Sequence, residues 1–293
     1  MSISRLRKAL GGSAFALLLL TSCAQNPVND AAAAEPTTIT QAAARSEQQN
    51  LQLTLPGTLA HSFQQLQGSW RGHLGLAVMP VGGTKMVTFG DWSTGPAWST
   101  MKVPLTLAAV RRSATNAGYT GTTAITQSDN TAADALWQSL GGAQEAAKAV
   151  EAVLREGGDT KTMVPPTRTR AEHSSFGQAE WSLAEQVRFA SKLPCLPQAS
   201  TVLTMMGQII PTHRWGLGTF TSAEFKGGWG PDTSGGYLVR QFGLIDTAGG
   251  QIAVAFAAQP DSGSFNDGMT ALDKMATLLT QHLDELAGGK CAA

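Results

Sequence analysis

Strand-like and helix-like segments occupy different parts of the chain. Residues 73–81 and 85–90 are strand-like, and Gly82-Gly83-Thr84 between them is a small-residue turn typical of a β-hairpin. Three more strand-like segments lie late in the chain, at residues 224–229, 236–245 and 251–258. We therefore expect one antiparallel sheet assembled from segments that are far apart in the sequence.

Helical patterns fill the middle of the chain and its end. One helix is predicted to start at Ser99 and run toward Arg112, and others cover residues 59–66, 134–140 and 143–155. Ser182, followed by Glu185 at the third position, has the pattern of a capping box and predicts another helix start. The last helix is amphipathic, and its apolar face is formed by Met269, Leu272, Met275, Leu279, Leu283 and Leu286. Together with the strands, these helices predict an α+β fold with a helical insertion.

The N-terminus has the pattern of an export signal rather than of the folded domain. Arg5, Arg7 and Lys8 precede a short apolar run at residues 14–20, which is too short for a permanent membrane span. The sequence Leu-Thr-Ser-Cys that ends at Cys23 resembles the bacterial lipobox, in which the cysteine is acylated. An ordinary signal peptide with an incidental cysteine is the alternative.

The lipobox pattern implies a location and leaves two cysteines for other roles. We expect residues 1–22 to be a signal peptide, Cys23 to carry the lipid, and residues 23–57 to form a flexible tether. The protein would then be exported and lipid-anchored to the outer face of the bacterial cell membrane. An exported protein favours a disulfide between the remaining Cys195 and Cys291; two free thiols are the alternative.

Composition excludes several classes of function. The 293 residues include 21 basic and 21 acidic ones, so no basic excess is present to bind nucleic acid. After the first two dozen residues no run of eighteen apolar positions occurs, which excludes a polytopic membrane protein. The five histidines lie outside any H-E-x-x-H pattern and no G-x-S-x-G occurs, so neither a zinc site nor an α/β-hydrolase is expected. We expect no metal and no cofactor.

Three short motifs follow one another in the chain: S-T-M-K at residues 99–102, S-D-N at 128–130 and K-G-G at 226–228. The first and third are weak evidence alone, whereas the tripeptide S-D-N is rare by chance in a chain of this composition. Their context, a helix start followed by a loop and then an edge strand, makes chance a poor explanation for the set.

The residue types in these motifs suit nucleophilic catalysis. A serine hydroxyl needs a base within hydrogen-bond reach, and positions i and i+3 share a helix face, so Lys102 is expected to face Ser99. Burial and the neighbouring cation Lys226 would keep the Lys102 amine neutral. Ser128 is placed to relay a proton toward a leaving group, and Asn130 to hold a substrate amide or the lysine itself. A helix start also directs free N–H groups at developing negative charge.

The set resembles the signatures of serine β-lactamases and penicillin-binding proteins, especially class A β-lactamases. The surroundings agree, from WSTMKVPLTLAAV and SDNTAADALWQSLGG to GDTKT, RWGLG and KGGWG. The resemblance implies a nucleophile, Ser99, with partners Lys102, Ser128, Asn130 and Lys226. It also implies an oxyanion hole formed by the N–H groups of Ser99 and Trp229, and substrate contacts along Gly227 and Gly228.

The same resemblance implies a fold and a division of the chain. The fold would be a five-stranded antiparallel sheet flanked by helices, beside an all-helical lobe. Residues 58–98 and 210–288 would form the α/β part, and residues 99–209 the helical lobe. Only 28 residues separate Ser99 from Ser128, fewer than in class A enzymes, so we expect a reduced lobe.

Departures from the family pattern leave two functions open. Gly227 replaces a hydroxyl residue that would help to hold a substrate carboxylate, and either Arg240 replaces that contact or it forms a surface ion pair. No E-P-x-x-N segment lies between Asp159 and Trp181, and Glu172 is the sole acidic residue of the loop 165–176. We expect a serine acyl-enzyme hydrolase acting on a β-lactam, a peptidoglycan peptide or another amide or ester, with doubtful deacylation. The alternative is an inactive envelope lipoprotein that serves as a binding module.

Overall fold

The structure is a computed structural model that describes residues 58–292. The predicted signal peptide, the tether and Cys23 lie outside this range. Eight α-helices occur within it: α1 Leu59–Ser69, α2 Lys102–Arg112, α3 Ala114–Thr126, α4 Asn130–Ser139, α5 Ala143–Glu156, α6 Leu183–Lys192, α7 Ala199–Met206 and α8 Phe265–Gln281. The strands of this range are β1 Gly72–Pro80, β2 Val87–Gly90, β3 Glu224–Pro231, β4 Tyr237–Thr247 and β5 Gly250–Pro260. No helix in the described range has both the length and the apolar character that crossing a membrane requires.

The five strands form one antiparallel sheet in the order β2-β1-β5-β4-β3. This confirms the α+β fold and the sheet built from distant segments. The N-terminal hairpin supplies β1, which pairs with β5 from Gly72↔Pro260 to Pro80↔Ile252. Asp232 shapes the turn between β3 and β4, where its carboxylate accepts hydrogen bonds from the backbone of Ser234 and Gly236. In this order β3 is an edge strand: within the described residues it pairs with β4, and no strand pairs with its other edge, which faces the helical part of the molecule.

Helices cover both faces of the sheet. On β4, Val239 faces α8, where it would clash with any side chain at Gly268, whereas its neighbour Arg240 bonds to Gln186 of α6. Because adjacent strand residues point to opposite faces, α6 and α8 lie on opposite sides of the sheet. α6 packs on β1, β4 and β5, so the sheet layers include residues that sequence analysis assigned to the helical lobe 99–209. α6 therefore belongs to the layers that cover the sheet and not to the helical lobe.

The helical lobe is centred on α2, which contacts α3, α4, α5 and α7 and is buried from Lys102 to Val110. Two of its helices, α3 and α7, have no counterpart among the predicted elements. α3 is rich in threonine and contains two glycines, residues with low helix propensity, and contacts with α2, α4 and α7 stabilise it. Tertiary packing therefore overrides local propensity there.

Helix ends follow the predicted chemistry in part. The Ser182 side chain accepts a hydrogen bond from the Glu185 amide at 3.2 Å, as a capping box requires. The Glu185 carboxylate does not complete the box, because it accepts from the Thr160 amide instead. The final amphipathic helix ends at Gln281, and Leu283 lies in a separate short turn.

Cys195 and Cys291 form a disulfide bond, with their Cα atoms 5.4 Å apart. The bond joins the turn after α6 to the C-terminal segment, 96 residues further along the chain. The same C-terminal segment also pairs with β5 through a bridge between Gln251 and Gly289.

Candidate active site

Ser99 lies in a single 3-10 turn, Trp98–Met101, that leads directly into α2. Trp98, immediately before it, has a φ of +49°, a conformation that is strained for a bulky side chain. Contacts on both sides hold the turn: Ala97 donates its N–H to the Ala179 carbonyl, and the Thr100 hydroxyl donates to the Ala97 carbonyl. The serine is thus presented at a fixed helix start, as the sequence predicts.

Two buried lysines meet at Ser128. The Lys102 amine donates to the Ser128 carbonyl at 2.5 Å and to Asn130 Oδ1 at 2.8 Å, with Ser128 Oγ 3.4 Å away. The Lys226 amine donates to Ser128 Oγ at 2.9 Å and to the Gly227 carbonyl at 2.8 Å. The hydrogen bonds of Lys102 therefore go to the S-D-N loop: the bond to Asn130 is one of the two predicted for that residue, whereas the predicted contact with Ser99 is replaced by one to Ser128.

Burial sets the protonation of both amines. Burial lowers the pKa of Lys102 to about 7, although the carboxylates of Asp129 and Asp134 oppose the shift. Burial and the charge of Lys102 hold the pKa of Lys226 well below its usual value. An amine with a pKa near 7 exists in quantity as a free base at neutral pH and is able to accept a proton.

The S-D-N tripeptide has a structural role as well as a chemical one. Ser128 has a φ of +57°, which turns the chain sharply at the end of α3. Asp129 is the N-cap of α4, and its Oδ1 accepts a hydrogen bond from the Ala132 amide at 2.6 Å. The turn and the cap together direct Ser128 and Asn130 toward Lys102.

Glycines let β3 lie directly against the Ser99 turn. A Cβ at Gly228 would be 2.9 Å from the Ser99 nitrogen, the Thr100 nitrogen and the Ala97 carbonyl oxygen. A Cβ at Gly230 would be 2.5 Å from the Trp98 ring. Gly227 differs, because a Cβ there would meet its neighbours, Trp215 and Trp229, only at 3.4–3.5 Å, an ordinary contact distance. The backbone of β3 therefore approaches the backbone of Ser99 only because residue 228 has no side chain.

A cleft of about 320 Å³ opens at Ser99. Its aromatic lining comprises Trp98, Phe176, Trp229 and Tyr237, and its polar lining includes Ser99, Asn130, Asp134, Arg168, Glu172 and His173. The structure thus brings Ser99, Asn130 and Trp229 together on one surface, while Lys102, Ser128 and Lys226 lie behind it. Nothing in the sequence pattern indicated Phe176 or Tyr237, since isolated aromatic residues carry no local signal of a cleft.

Arg240 does not reach the cleft, and both predictions for it are wrong. Its side chain is fully buried, so it forms neither a surface ion pair nor a substrate contact. Its guanidinium donates to the carbonyl oxygens of Gly95, Pro96 and Trp181 and to Gln186 Oε1. Burial lowers the pKa of Arg240 to about 9. Arg240 therefore holds the segment that precedes Ser99 through Gly95 and Pro96, a role that its position on a strand does not indicate.

Two histidines lie closer to the site than the sequence suggested. The His173 ring contacts Trp98 edge-on, with ring centroids 4.9 Å apart, and burial and Arg170 lower its pKa. The His213 ring contacts Trp229 at 5.2 Å, and burial, followed by the charges of the two site lysines, lowers its pKa. Both rings are therefore neutral at pH 7.

The acidic residue of the loop between α5 and α6 also lies on the cleft. Glu172 is exposed, and its carboxylate accepts a hydrogen bond from Arg170 at 3.0 Å. A hydrogen bond from its own backbone amide lowers its pKa, and Arg170 lowers it further. The carboxylate is thus ionised and paired at neutral pH.

Comparison with known proteins identifies the fold. No family model matches the sequence, and no curated protein matches it either. Solved structures do match: a TLA-3 extended-spectrum β-lactamase has a TM-score of 0.64 at 14% identity, covering 77% of this chain and 98% of that one. A class A β-lactamase from Bacteroides cellulosilyticus has a TM-score of 0.64 at 13% identity, covering 78% and 99%. The chain has a class A β-lactamase-like fold.

An ancestral class A β-lactamase gives a similar result, with a TM-score of 0.60 at 18% identity and coverage of 76% of this chain and 99% of that one. The likeness spans nearly all of the described residues, so the β-lactamase-like fold includes both the sheet layers and the helical lobe. At these identities the likeness concerns the backbone alone. What the side chains do must be argued from the site itself.

Proposed function

We propose that the protein is a serine acyl-enzyme hydrolase that acts on a β-lactam, a peptidoglycan peptide or another amide or ester. The observation that carries the proposal is the pair of buried amines, Lys102 and Lys226, that bond to Ser128 beside the Ser99 turn. Burying two amines costs free energy, which lowers their pKa values, and an amine with a lowered pKa suits proton transfer. The β-lactamase-like fold supports the same class of reaction.

The proposed first step is acylation of Ser99. Its Oγ attacks the substrate carbonyl and forms an ester bond, while its proton passes to the neutral amine of Lys102. Ser128, bonded to both lysines, delivers a proton to the leaving nitrogen or oxygen as the scissile bond breaks. The N–H groups of Ser99 and Trp229 are the proposed donors to the oxyanion.

The proposed second step, hydrolysis of the acyl-enzyme, is slow. Glu172 is the acidic residue of its loop that lines the cleft, and its carboxylate is paired with Arg170 and largely open to solvent. A carboxylate so paired and so acidic is a weak base for activating water. We therefore expect the acyl-enzyme to accumulate.

The test is covalent labelling. The purified protein is incubated with a tagged penicillin and, separately, with a fluorophosphonate, and intact mass is measured over time. We expect one adduct per molecule on the wild type and on Ser200→Ala, a change of an exposed serine on α7, and none on Ser99→Ala. An adduct of equal yield on Ser99→Ala would refute Ser99 as the nucleophile.

A specific observation favours the second function, a binding module without catalysis. The hydrogen bonds of Lys102 are made to Ser128 and Asn130, which leaves Ser99 without its expected base partner in this arrangement. This alternative requires that both probes leave the wild-type mass unchanged while a small molecule or peptide still binds reversibly in the cleft. An adduct on Ser99 would exclude it.

The location follows as a separate proposal: an exported lipoprotein anchored through Cys23 to the outer face of the bacterial membrane. The basic and apolar pattern before Cys23 supports it, as does the disulfide between Cys195 and Cys291, a bond typical of exported proteins. Labelling cells with a palmitate analogue should mark the wild type and leave Cys23→Ala unlabelled. Equal labelling of the two would refute the anchor.

A further inference from the structure

We propose that the cleft selects uncharged esters and amides, in which no carboxylate lies near the scissile bond and an aromatic group packs against Trp229 and Tyr237. The inference rests on the acyl-transfer chemistry proposed above and names the substrate class for the same site. Two observations carry it. The cations near the cleft already bond to protein partners, and the cleft beside Ser99 has an aromatic wall that includes Trp229 and Tyr237.

Two buried cations close to the Ser99 turn make their hydrogen bonds to protein atoms. Lys226 is 2% exposed, and its amine donates to Ser128 Oγ and to the Gly227 carbonyl. Arg240 is fully buried beneath the Ser99 turn, and its two terminal nitrogens donate to four protein oxygens. Neither cation is available to a carboxylate that enters the cleft.

The outer arginines are paired in the same way. Arg168 contacts Asp134 at 3.3 Å, and Arg170 contacts Glu172 at 3.0 Å and the Pro231 carbonyl at 2.6 Å. Arg214 donates to the Phe220 carbonyl and lies over the Phe225 ring. Among the described residues that line the cleft, Asp134 and Glu172 are acidic and Arg168 is basic. Asp134 and Glu172 are each paired with an arginine, so a substrate carboxylate would find no unpaired cation among these residues.

Gly227 also bears on how a substrate carboxylate would be bound. A side chain at this position would meet Trp215 and Trp229 at an ordinary contact distance, so packing does not require a glycine there. The position nevertheless offers no hydroxyl donor on the strand that borders the site. Strand β3 therefore supplies no side-chain donor for a carboxylate at this position.

The aromatic wall is held rigidly. Trp229 and Tyr237 are half-buried, and both rings contact Phe265 at the start of α8, with centroids 5.4 and 5.8 Å away. Trp215 supports Trp229 from behind at 5.8 Å. A fixed aromatic surface next to the nucleophile binds an aromatic or apolar group without losing side-chain entropy.

The first experiment compares two β-lactams that differ by one charge, benzylpenicillin and its methyl ester. Adduct formation on Ser99 is followed by intact mass, and each rate is divided by the rate of alkaline hydrolysis of the same compound. In either case the Ser99 Oγ–carbonyl bond forms, the lactam C–N bond breaks, and the serine proton ends on the lactam nitrogen. We expect the methyl ester to react at least about tenfold faster.

A charge variant tests the cause of this preference. Glu172→Gln removes one exposed negative charge from the cleft and should narrow the difference between the two compounds by about threefold. Glu145→Gln, an exposed change on α5 outside the cleft, should leave the difference unchanged. A preference that is the same in both variants would refute the electrostatic explanation.

A second experiment tests the aromatic wall with p-nitrophenyl phenylacetate and p-nitrophenyl acetate. The Ser99 Oγ–acyl bond forms, the ester C–O bond breaks, p-nitrophenolate leaves, and the serine proton passes to the Lys102 amine. We expect the phenylacetate to give a burst about tenfold faster, and Tyr237→Ala to reduce that advantage. Equal bursts from the two esters would overturn the aromatic part of the proposal.

Different results would exclude the charge selection and the acyl-transfer chemistry. If benzylpenicillin reacts as fast as its methyl ester or faster, the charge selection is wrong while acyl transfer stands. If neither β-lactam, neither ester and no fluorophosphonate labels Ser99, the proposed function itself fails.

Discussion

The pair of glycines at 227 and 228 gives the sharpest test of the site geometry, because the substitution at residue 228 is expected to be damaging and the one at residue 227 nearly neutral. In Gly228→Ala the new methyl group would be 2.9 Å from the Ser99 nitrogen and from the Ala97 carbonyl oxygen. Both are backbone atoms and cannot rotate away, so β3 and the Ser99 turn must move apart. In Gly227→Ala the methyl group meets only aromatic side chains, at 3.4 Å or more.

The size of each effect follows from these distances. Overpacking of this kind costs about 1–3 kcal/mol of unfolding free energy, or roughly 2–10 °C in Tm for a domain of this size. Displacing an oxyanion donor lowers the rate of the chemical step by about 10²–10³-fold. We therefore expect Gly228→Ala to slow acylation of Ser99 by about 100-fold or more. Gly227→Ala should change the unfolding free energy by less than about 0.5 kcal/mol and the acylation rate by about twofold at most.

Both quantities are measurable on the same samples. Thermal unfolding reports the packing cost, and intact mass during incubation with a fluorophosphonate reports the rate at which Ser99 is phosphonylated, which stands for the acylation rate because both reactions need the same serine and the same oxyanion donors. The probe loses fluoride as the serine oxygen bonds to phosphorus, so no later hydrolysis is needed. If Gly228→Ala acylates at the wild-type rate with an unchanged Tm, or if Gly227→Ala is equally impaired, the close approach of β3 to Ser99 is not what shapes the site.

Three further predictions concern protonation, a buried charge and the disulfide. Burial lowers the pKa of Lys102 to about 7, and only the free amine accepts a proton. The rate of Ser99 acylation should therefore fall about tenfold per pH unit below pH 7 and level off above it. A rate that stays flat from pH 5 to 9 would contradict this. Arg240→Met leaves buried carbonyl oxygens unpaired and should lower the free energy of unfolding in urea by at least about 3 kcal/mol. Arg168→Met, which removes an exposed ion pair, should lower it by less than about 1 kcal/mol. Similar losses in the two variants would refute the supporting role of Arg240. Dithiothreitol should lower the unfolding free energy by about 2–5 kcal/mol, since the disulfide closes a long loop. The unfolding free energy of the double variant Cys195→Ser with Cys291→Ser should not change with dithiothreitol. An equal loss in the wild type and the double variant would exclude the disulfide as its cause.

Much of the fold is encoded in local patterns. The hairpin of β1 and β2, the late strands and the helices α5, α6 and α8 follow from residue periodicity and capping residues such as Ser182. The turn that carries Ser99 and the loop that carries Ser128 also lie where their motifs indicated. These features depend on neighbours within a few residues, which the sequence displays directly.

Other features depend on contacts between distant segments, and only the tertiary structure decided them. α3 has a weak helical sequence and forms because α2, α4 and α7 pack around it. Arg240 lies on a strand whose two faces the sequence cannot distinguish, and the position of α6 determines that its side chain is buried.

The chemistry of the site shows the same division. The sequence by itself determined which residues are available for acyl transfer: Ser99, two lysines, and Ser128 with Asn130. The tertiary structure decided that both lysines bond to Ser128 and that aromatic side chains line the cleft at Ser99. The physical reason is that periodicity and capping act over one or two turns, whereas burial, pKa shifts and cleft shape arise from segments that meet only after folding.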